Sequence, residues 1–116
     1  MWGLIMKAVL RERHRYLAFE LITEKKYGKE KEQVRNLERV INAELLHVLG
    51  EMGLAKVMPR LLIFNGKIGV LRTTTKGITD LRTAIALVTS FEGNPAHLRS
   101  LSTSGTIAAL KRKLRI

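Results

Sequence analysis

Pro59-Arg60-Leu61-Leu62-Ile63-Phe64-Asn65-Gly66-Lys67-Ile68-Gly69-Val70-Leu71-Arg72-Thr73-Thr74 places two strand-forming runs on either side of an Asn-Gly dipeptide. A two-residue hairpin turn favours that dipeptide because both positions want φ > 0. The alternation starts at Ala55 and passes through Val57, Leu61 and Ile63 to Phe64, and Ile68 to Thr74 is the returning strand. Pro59 lacks the amide hydrogen a ladder needs, so the first strand of the hairpin belongs at a sheet edge.

Working outward, Tyr16-Leu17-Ala18-Phe19-Glu20-Leu21-Ile22-Thr23 is rich in strand formers, with Leu17, Phe19 and Leu21 on one face of the pleat. The polar stretch Glu24 to Lys29 interrupts it. From Glu30, Val34, Leu37, Ile41, Leu45 and Val48 recur at helical spacing until Gly50 and Gly53. Beyond the hairpin, Thr73-Thr74-Thr75 supplies caps for a second helix, whose buried stripe is Ile78, Leu81, Ile85 and Val88 and which Gly93-Asn94-Pro95 ends. His97 to Thr103 reads as a weaker fourth strand. Ile107, Leu110 and Leu114 then make one apolar face of a basic terminal helix.

The order strand, helix, strand, strand, helix, strand predicts an α+β, ferredoxin-like (RRM-like) split βαβ sandwich. Its four-stranded antiparallel sheet would carry two helices on one face, with the first and third strands central. The other face is left for the terminal helix, a partner or RNA. The expected organisation is a single domain over 1–116, with a basic arm at 1–13, a core at 14–103 and the basic helix at 104–116. At 116 residues the chain is long enough to bury a core without staples.

The formal charge of +11 is unevenly spread. Residues 1–19 carry +3, residues 20–58 cancel, residues 59–92 carry +3, and the last 24 residues hold five basic side chains and no acidic one. An excess confined to selected elements argues for a polyanionic partner, which leaves nucleic acid, an anionic membrane and an acidic protein. The chain has no cysteine, which excludes disulfides, thiolate nucleophiles and Cys-based zinc sites. His14, His47 and His97 show no metal-binding spacing. Met1-Trp2-Gly3-Leu4-Ile5-Met6 is too short and lacks the basic flank of a signal peptide, and Met6 offers a second start. No run reaches the ~20 apolar residues of a membrane span, so an intracellular, cytoplasmic protein is expected. The single glutamine and the abundance of Lys, Arg and Glu fit a thermophilic source.

Candidate binding residues follow from the same map. Arg11, Arg13 and Arg15 alternate before the first strand and project to one side if extended, where they could track a phosphate backbone; a frayed basic arm is the ordinary alternative. The third strand contains no aromatic, which argues against base stacking on the sheet, and offers Arg72 for phosphate contacts instead. Ser104 and Thr106 flank Gly105 at a helix start, where hydroxyls and free amides can hold an anion or simply cap the helix. Arg99 and the cluster Lys111, Arg112, Lys113 and Arg115 complete the set. Catalysis by the chain has little support: Glu30, Glu32, Glu38 and Glu44 alternate with Lys31, Arg35 and Arg39 as on a solvated face, and no nucleophile elbow or phosphate-binding glycine motif is present.

Four stretches carry a resemblance: Arg15-Tyr16-Leu17-Ala18-Phe19-Glu20-Leu21-Ile22, Leu49-Gly50-Glu51-Met52-Gly53-Leu54-Ala55-Lys56, Gly69-Val70-Leu71-Arg72, and Ser104-Gly105-Thr106-Ile107 leading into Lys111-Arg112-Lys113-Leu114. Together they resemble the archaeal ribonuclease P protein component 2 family, whose eukaryotic counterpart is shared by ribonucleases P and MRP. The resemblance implies a non-catalytic subunit of a ribonucleoprotein that removes the 5′ leader of precursor tRNA. Its RNA would cleave with Mg2+, no cofactor would bind this chain, and no catalytic residue is expected on it. It further implies a pairing with protein component 3, a TIM-barrel-like protein, in a complex of two copies of each. Ribonuclease P RNA and the other ribonuclease P proteins would be partners, with precursor tRNA met indirectly. This chain has Ala108 and Ala109 where many members carry a basic residue. A stand-alone RNA-binding or annealing module is the alternative from another class, followed by a purely protein-binding adaptor and then an enzyme in its own right.

Overall fold

Side chains alternate along an extended chain, so Leu17, Phe19 and Leu21 share one face. In the computed structural model, which describes residues 13–28 and 30–115, they do so on strand β1 (His14–Thr23). All of the expected basic arm but Arg13 lies outside the described residues. β1 is the middle strand of an antiparallel sheet with β2 (Arg60–Phe64), β3 (Ile68–Thr74), β4 (Ser90–Phe91) and β5 (Asn94–Ser104), in the order β2-β3-β1-β5-β4. Among the described residues three helices accompany it: α1 (Lys31–Val57), α2 (Ile78–Ala86) and α3 (Ile107–Leu114). As Pro59 requires, β2 lies at an edge.

Among the described residues the sheet has five strands rather than four. Glu92 (φ 50°) and Gly93 (φ 78°) form a two-residue loop that folds Ser90 and Phe91 back on Asn94 and Pro95. Phe91 is buried there, its ring centroid 4.9 Å from that of Tyr27. α2 has already ended at Ala86, so Gly93-Asn94-Pro95 closes a hairpin and not a helix. The pair of positive-φ turn residues expected at Asn65-Gly66 is thus found at Glu92-Gly93. Asn65 instead keeps a negative φ and accepts the Lys67 and Ile68 amides on its side-chain Oδ1 (2.9 and 2.7 Å), leaving only Gly66 at φ 96°.

α1 also departs from expectation. It runs past Gly50 and Gly53 to Val57, so the strand forecast from Ala55 begins only at Arg60. Gly50 (φ 75°, ψ −177°) breaks the helical geometry, and the axis resumes beyond it. Leu37, Ile41 and Leu45 are buried before the break and Val57 after it, with Leu49 and Leu54 packed against the core, whereas Val48 is exposed. Met58 closes the helix in the left-handed region with its N–H on Leu54 O. The hydroxyls of Thr73 and Thr74 donate to Val57 O and Lys56 O, satisfying helix-end carbonyls that would otherwise lack partners. These threonines therefore serve the end of α1 as much as the start of α2, whose N-cap position is Gly77.

Packing occurs on both sides of the sheet. Leu17, Phe19, Leu37, Ile41, Leu71, Leu81 and Ile85 fill the layer under α1 and α2. On the opposite face Ala18, Val70 and Leu110 form a second, smaller cluster that seats α3, with Tyr16, Leu101 and Leu114 around it.

Candidate nucleic-acid interface

α3 starts where Ser104 ends β5 and Gly105 turns the chain. Thr106 is its N-cap (φ −141°, ψ 153°), and its Oγ1 accepts from the Ala109 amide at 3.1 Å. One acceptor position on the hydroxyl is therefore used within the helix. Leu110 is completely buried against Ala18 and Val70, which fixes which side of the helix faces out. Lys111, Arg112 and Lys113 are exposed in the last turn, where positive charge complements the negative end of the helix dipole. Arg115 terminates the helix in the left-handed region (φ 59°) with its N–H on Arg112 O and Lys111 O. Lys113 Nζ reaches back to donate to Thr103 O at 2.8 Å, tying the last turn to β5.

The start of β1 meets the start of α3. Arg13, His14, Arg15, Gly105 and Thr106 line an open hollow of about 360 Å3. Arg13 and Arg15 are exposed, and the Arg13 carbonyl accepts both the Thr75 amide (3.2 Å) and its hydroxyl (3.1 Å), so the strand entry is anchored to the segment after β3. An atom placed as Cβ on Gly105 would lie 3.6 Å from Arg15 Nη1, so the guanidinium stands directly over the turn. Ser104 is buried, with its Oγ 3.5 Å from the Thr106 amide. Arg11 lies outside the described residues.

Arg72 is half-buried on β3, opposite Tyr16 of β1 and Arg60 of β2. Cross-strand partners share a face, so Arg60 and Arg72 form a basic pair on the side of the sheet that carries α3. Arg99, in contrast, lies in the middle of β5 opposite Glu20 and donates from Nη2 to Glu20 Oε1 at 2.9 Å, while Lys67 approaches Glu20 Oε2 at 3.9 Å. Its charge is shared with that carboxylate. The structure thus brings Arg13, Arg15 and Thr106 together, places Arg72 with Arg60 on the side of the sheet that carries α3, and pairs Arg99 with Glu20.

Two basic residues that sequence reasoning passed over join this surface. Arg60 follows Pro59, and its pairing with Arg72 depends on a turn longer than two residues and on a register shift between Leu61 and Ile63, neither of which the Asn-Gly dipeptide foretells. Arg82 is exposed on α2 and lines a hollow with Lys113, which no local pattern foretells. Among the described residues no group of three or more His, Asp or Glu could hold a metal ion, and no helix is long and apolar enough to cross a membrane.

Comparison with known proteins places these features in a family context. Residues 15–115 match the model of the Rpp14/Pop5 family. The chain is 41% identical over 106 residues to ribonuclease P protein component 2 of Thermococcus gammatolerans, covering 90% of this chain and 84% of that one. To the same protein of Pyrococcus horikoshii it is 40% identical over equal shares, and to that of Archaeoglobus fulgidus 35% identical, covering 90% of each. Among solved structures, a chain in the cryo-EM structure of yeast ribonuclease MRP superposes with a TM-score of 0.63 over 90% of both chains. At 13% identity that match speaks for the fold alone.

Proposed function

We propose, because this chain belongs to the Rpp14/Pop5 family, that it is a non-catalytic protein subunit of ribonuclease P, assisting the RNA that removes the 5′ leader of precursor tRNA in the cytoplasm of an archaeon. The observation that carries this reading is α3: its apolar side is buried on the sheet face that also bears the Arg60–Arg72 pair, its last-turn cations are exposed, and its start meets Arg13 and Arg15 in one hollow. RNA is an extended polyanion, and basic side chains placed where its phosphates converge offset their repulsion. A protein acting this way favours Mg2+ binding by the RNA through the geometry it stabilises, with no metal ligands of its own.

The contiguous strands β2-β3-β1-β5, with α1 and α2 on one face, support reading the fold as a ferredoxin-like split βαβ unit to which β4 is appended. On the other face, α3 leaves Ile22 and Ile63 exposed. That apolar surface suits protein component 3, in a complex of two copies of each, alongside the other ribonuclease P proteins, with precursor tRNA reached through the RNA.

Magnesium-dependent cleavage of precursor tRNA by the cognate ribonuclease P RNA tests the reading, with this chain and component 3 added separately and together. Strong stimulation by the pair alone is expected. Absence of stimulation, with tight binding to unrelated RNAs, would transfer the chain to the stand-alone RNA-binding class.

A further inference from the structure

The outer side of β5 is an open sheet edge. β4 covers only Asn94 and Pro95, and the Ala96 amide is taken by Thr89 O at 3.0 Å. In an antiparallel ladder the outward-pointing backbone groups alternate, so Leu98 and Ser100 also direct their N–H and C=O groups to that side. Among the described residues no further strand meets them. Beyond the register shift between Ala18 and Phe19, which leaves Leu101 unpaired with β1, the Thr103 carbonyl again faces outward, where Lys113 Nζ bonds to it.

Two cations from opposite faces of the sheet converge on this edge. Arg82 comes from α2 on one side and Lys113 from α3 on the other, and with Ser100, Leu101, Ser102 and Thr103 they enclose a hollow of about 270 Å3. Neither β5 nor α3 contains an acidic residue. Three hydroxyls, unpaired amides and two cations are the donor set that phosphate oxygens accept from. An incoming protein strand would meet two positive side chains at the edge, a known means of keeping sheet edges unpaired.

We propose that the β5 edge is a phosphodiester-binding site, in which Arg82 and Lys113 hold phosphates of an RNA backbone against Ser100, Ser102 and Thr103. The site rests on the reading of the chain as an RNA-binding subunit and extends it to a surface separate from the hollow at Arg13 and Thr106. Contacts of this kind fix the position of an RNA without reading its bases.

The test is affinity of the full chain for its cognate ribonuclease P RNA across a series of KCl concentrations, with Arg82→Gln and Lys113→Gln made singly and together. Removing one phosphate-binding cation lowers the slope of log affinity against log salt by about one, so about two is expected for the double variant. Arg82 makes no hydrogen bond or ion pair within the described residues, so Arg82→Gln separates binding from any loosening of α3 caused at Lys113. An unaltered slope for Arg82→Gln, while the unaltered chain binds with strong salt dependence, would overturn the edge site and leave the subunit reading intact. The same unaltered slope accompanied by failed docking of a protein partner would make the edge a strand-pairing surface, which also overturns the proposal. No salt-dependent binding by the unaltered chain would fail the subunit reading, and the edge site with it.

Discussion

A Cβ on Gly69 would stand 2.3 Å from Phe19 Cζ, because the two residues oppose each other in the β1–β3 register and the ring fills the space a side chain would take. Phe19 in turn stacks on Phe64 at 6.4 Å, so the ring has no free direction in which to yield. Gly69→Ala is expected to lower stability by about 1–3 kcal/mol, as overpacking of a dense core does, and a urea midpoint shifted down at constant m would show it. At Thr106 the expected effect is different in kind. Thr106→Ala removes the acceptor for the Ala109 amide and should cost about 1 kcal/mol, with faster hydrogen exchange confined to the first turn of α3. Thr106→Ser keeps the oxygen and should restore protection, whereas a hydroxyl needed only for an anion would leave exchange unchanged in both variants.

Among the elements, α3 is the one whose position decides what the charge can do. Leu110 is its sole fully buried side chain, and Leu110→Ala removes the packing on Ala18 and Val70. A decrease of about 2–5 kcal/mol is the usual range for such a truncation; because the cluster is small, local release of α3 should precede global unfolding. RNA affinity is then expected to fall although every cation is retained, and equal affinity with α3 amides unprotected would show that the helix acts as a tethered basic tail. The sequence announced this element plainly, since Ile107, Leu110 and Leu114 recur at helical spacing amid basic residues. β1, the edge position of β2 and the second helix were legible for the same reason: their periodicities are strong and local. What escaped was set by contacts distant in sequence. Thr73 and Thr74 hold the end of α1 from β3, which lets that helix continue beyond two glycines. β4 exists because Phe91 packs on Tyr27, and no pattern in a two-residue strand signals that. The candidate site divides likewise: the α3 cluster and Arg15 were readable as charge runs, while the pairing of Arg60 with Arg72 depends on register, and the meeting of Arg82 with Lys113 depends on two helices reaching one edge from opposite faces.

For the whole molecule the question is whether net charge or its placement governs binding. Lys31, Arg35 and Arg39 are exposed on α1 as Lys111, Arg112 and Lys113 are on α3, but the former share their helix with Glu32 and Glu38 and the latter have no acidic neighbour in sequence. Replacing either trio by glutamine lowers the formal charge from +11 by the same amount. If affinity followed net charge through long-range attraction, the two triple variants would bind RNA equally weakly, and physiological salt, with a screening length of about 8 Å, would erase most of the difference from the unaltered chain. Direct phosphate neutralisation behaves otherwise, because each neutralised phosphate releases a condensed counterion and writes itself into the salt slope. Replacing the α3 trio is therefore expected to lower that slope by about two to three, at roughly 0.7–0.9 for each phosphate no longer neutralised, and replacing the α1 trio to leave it unchanged. Equal slopes for both variants would refute a localised interface. A reduced slope for the α1 trio alone would move the RNA to the helical face of the molecule, opposite the side on which α3 is docked.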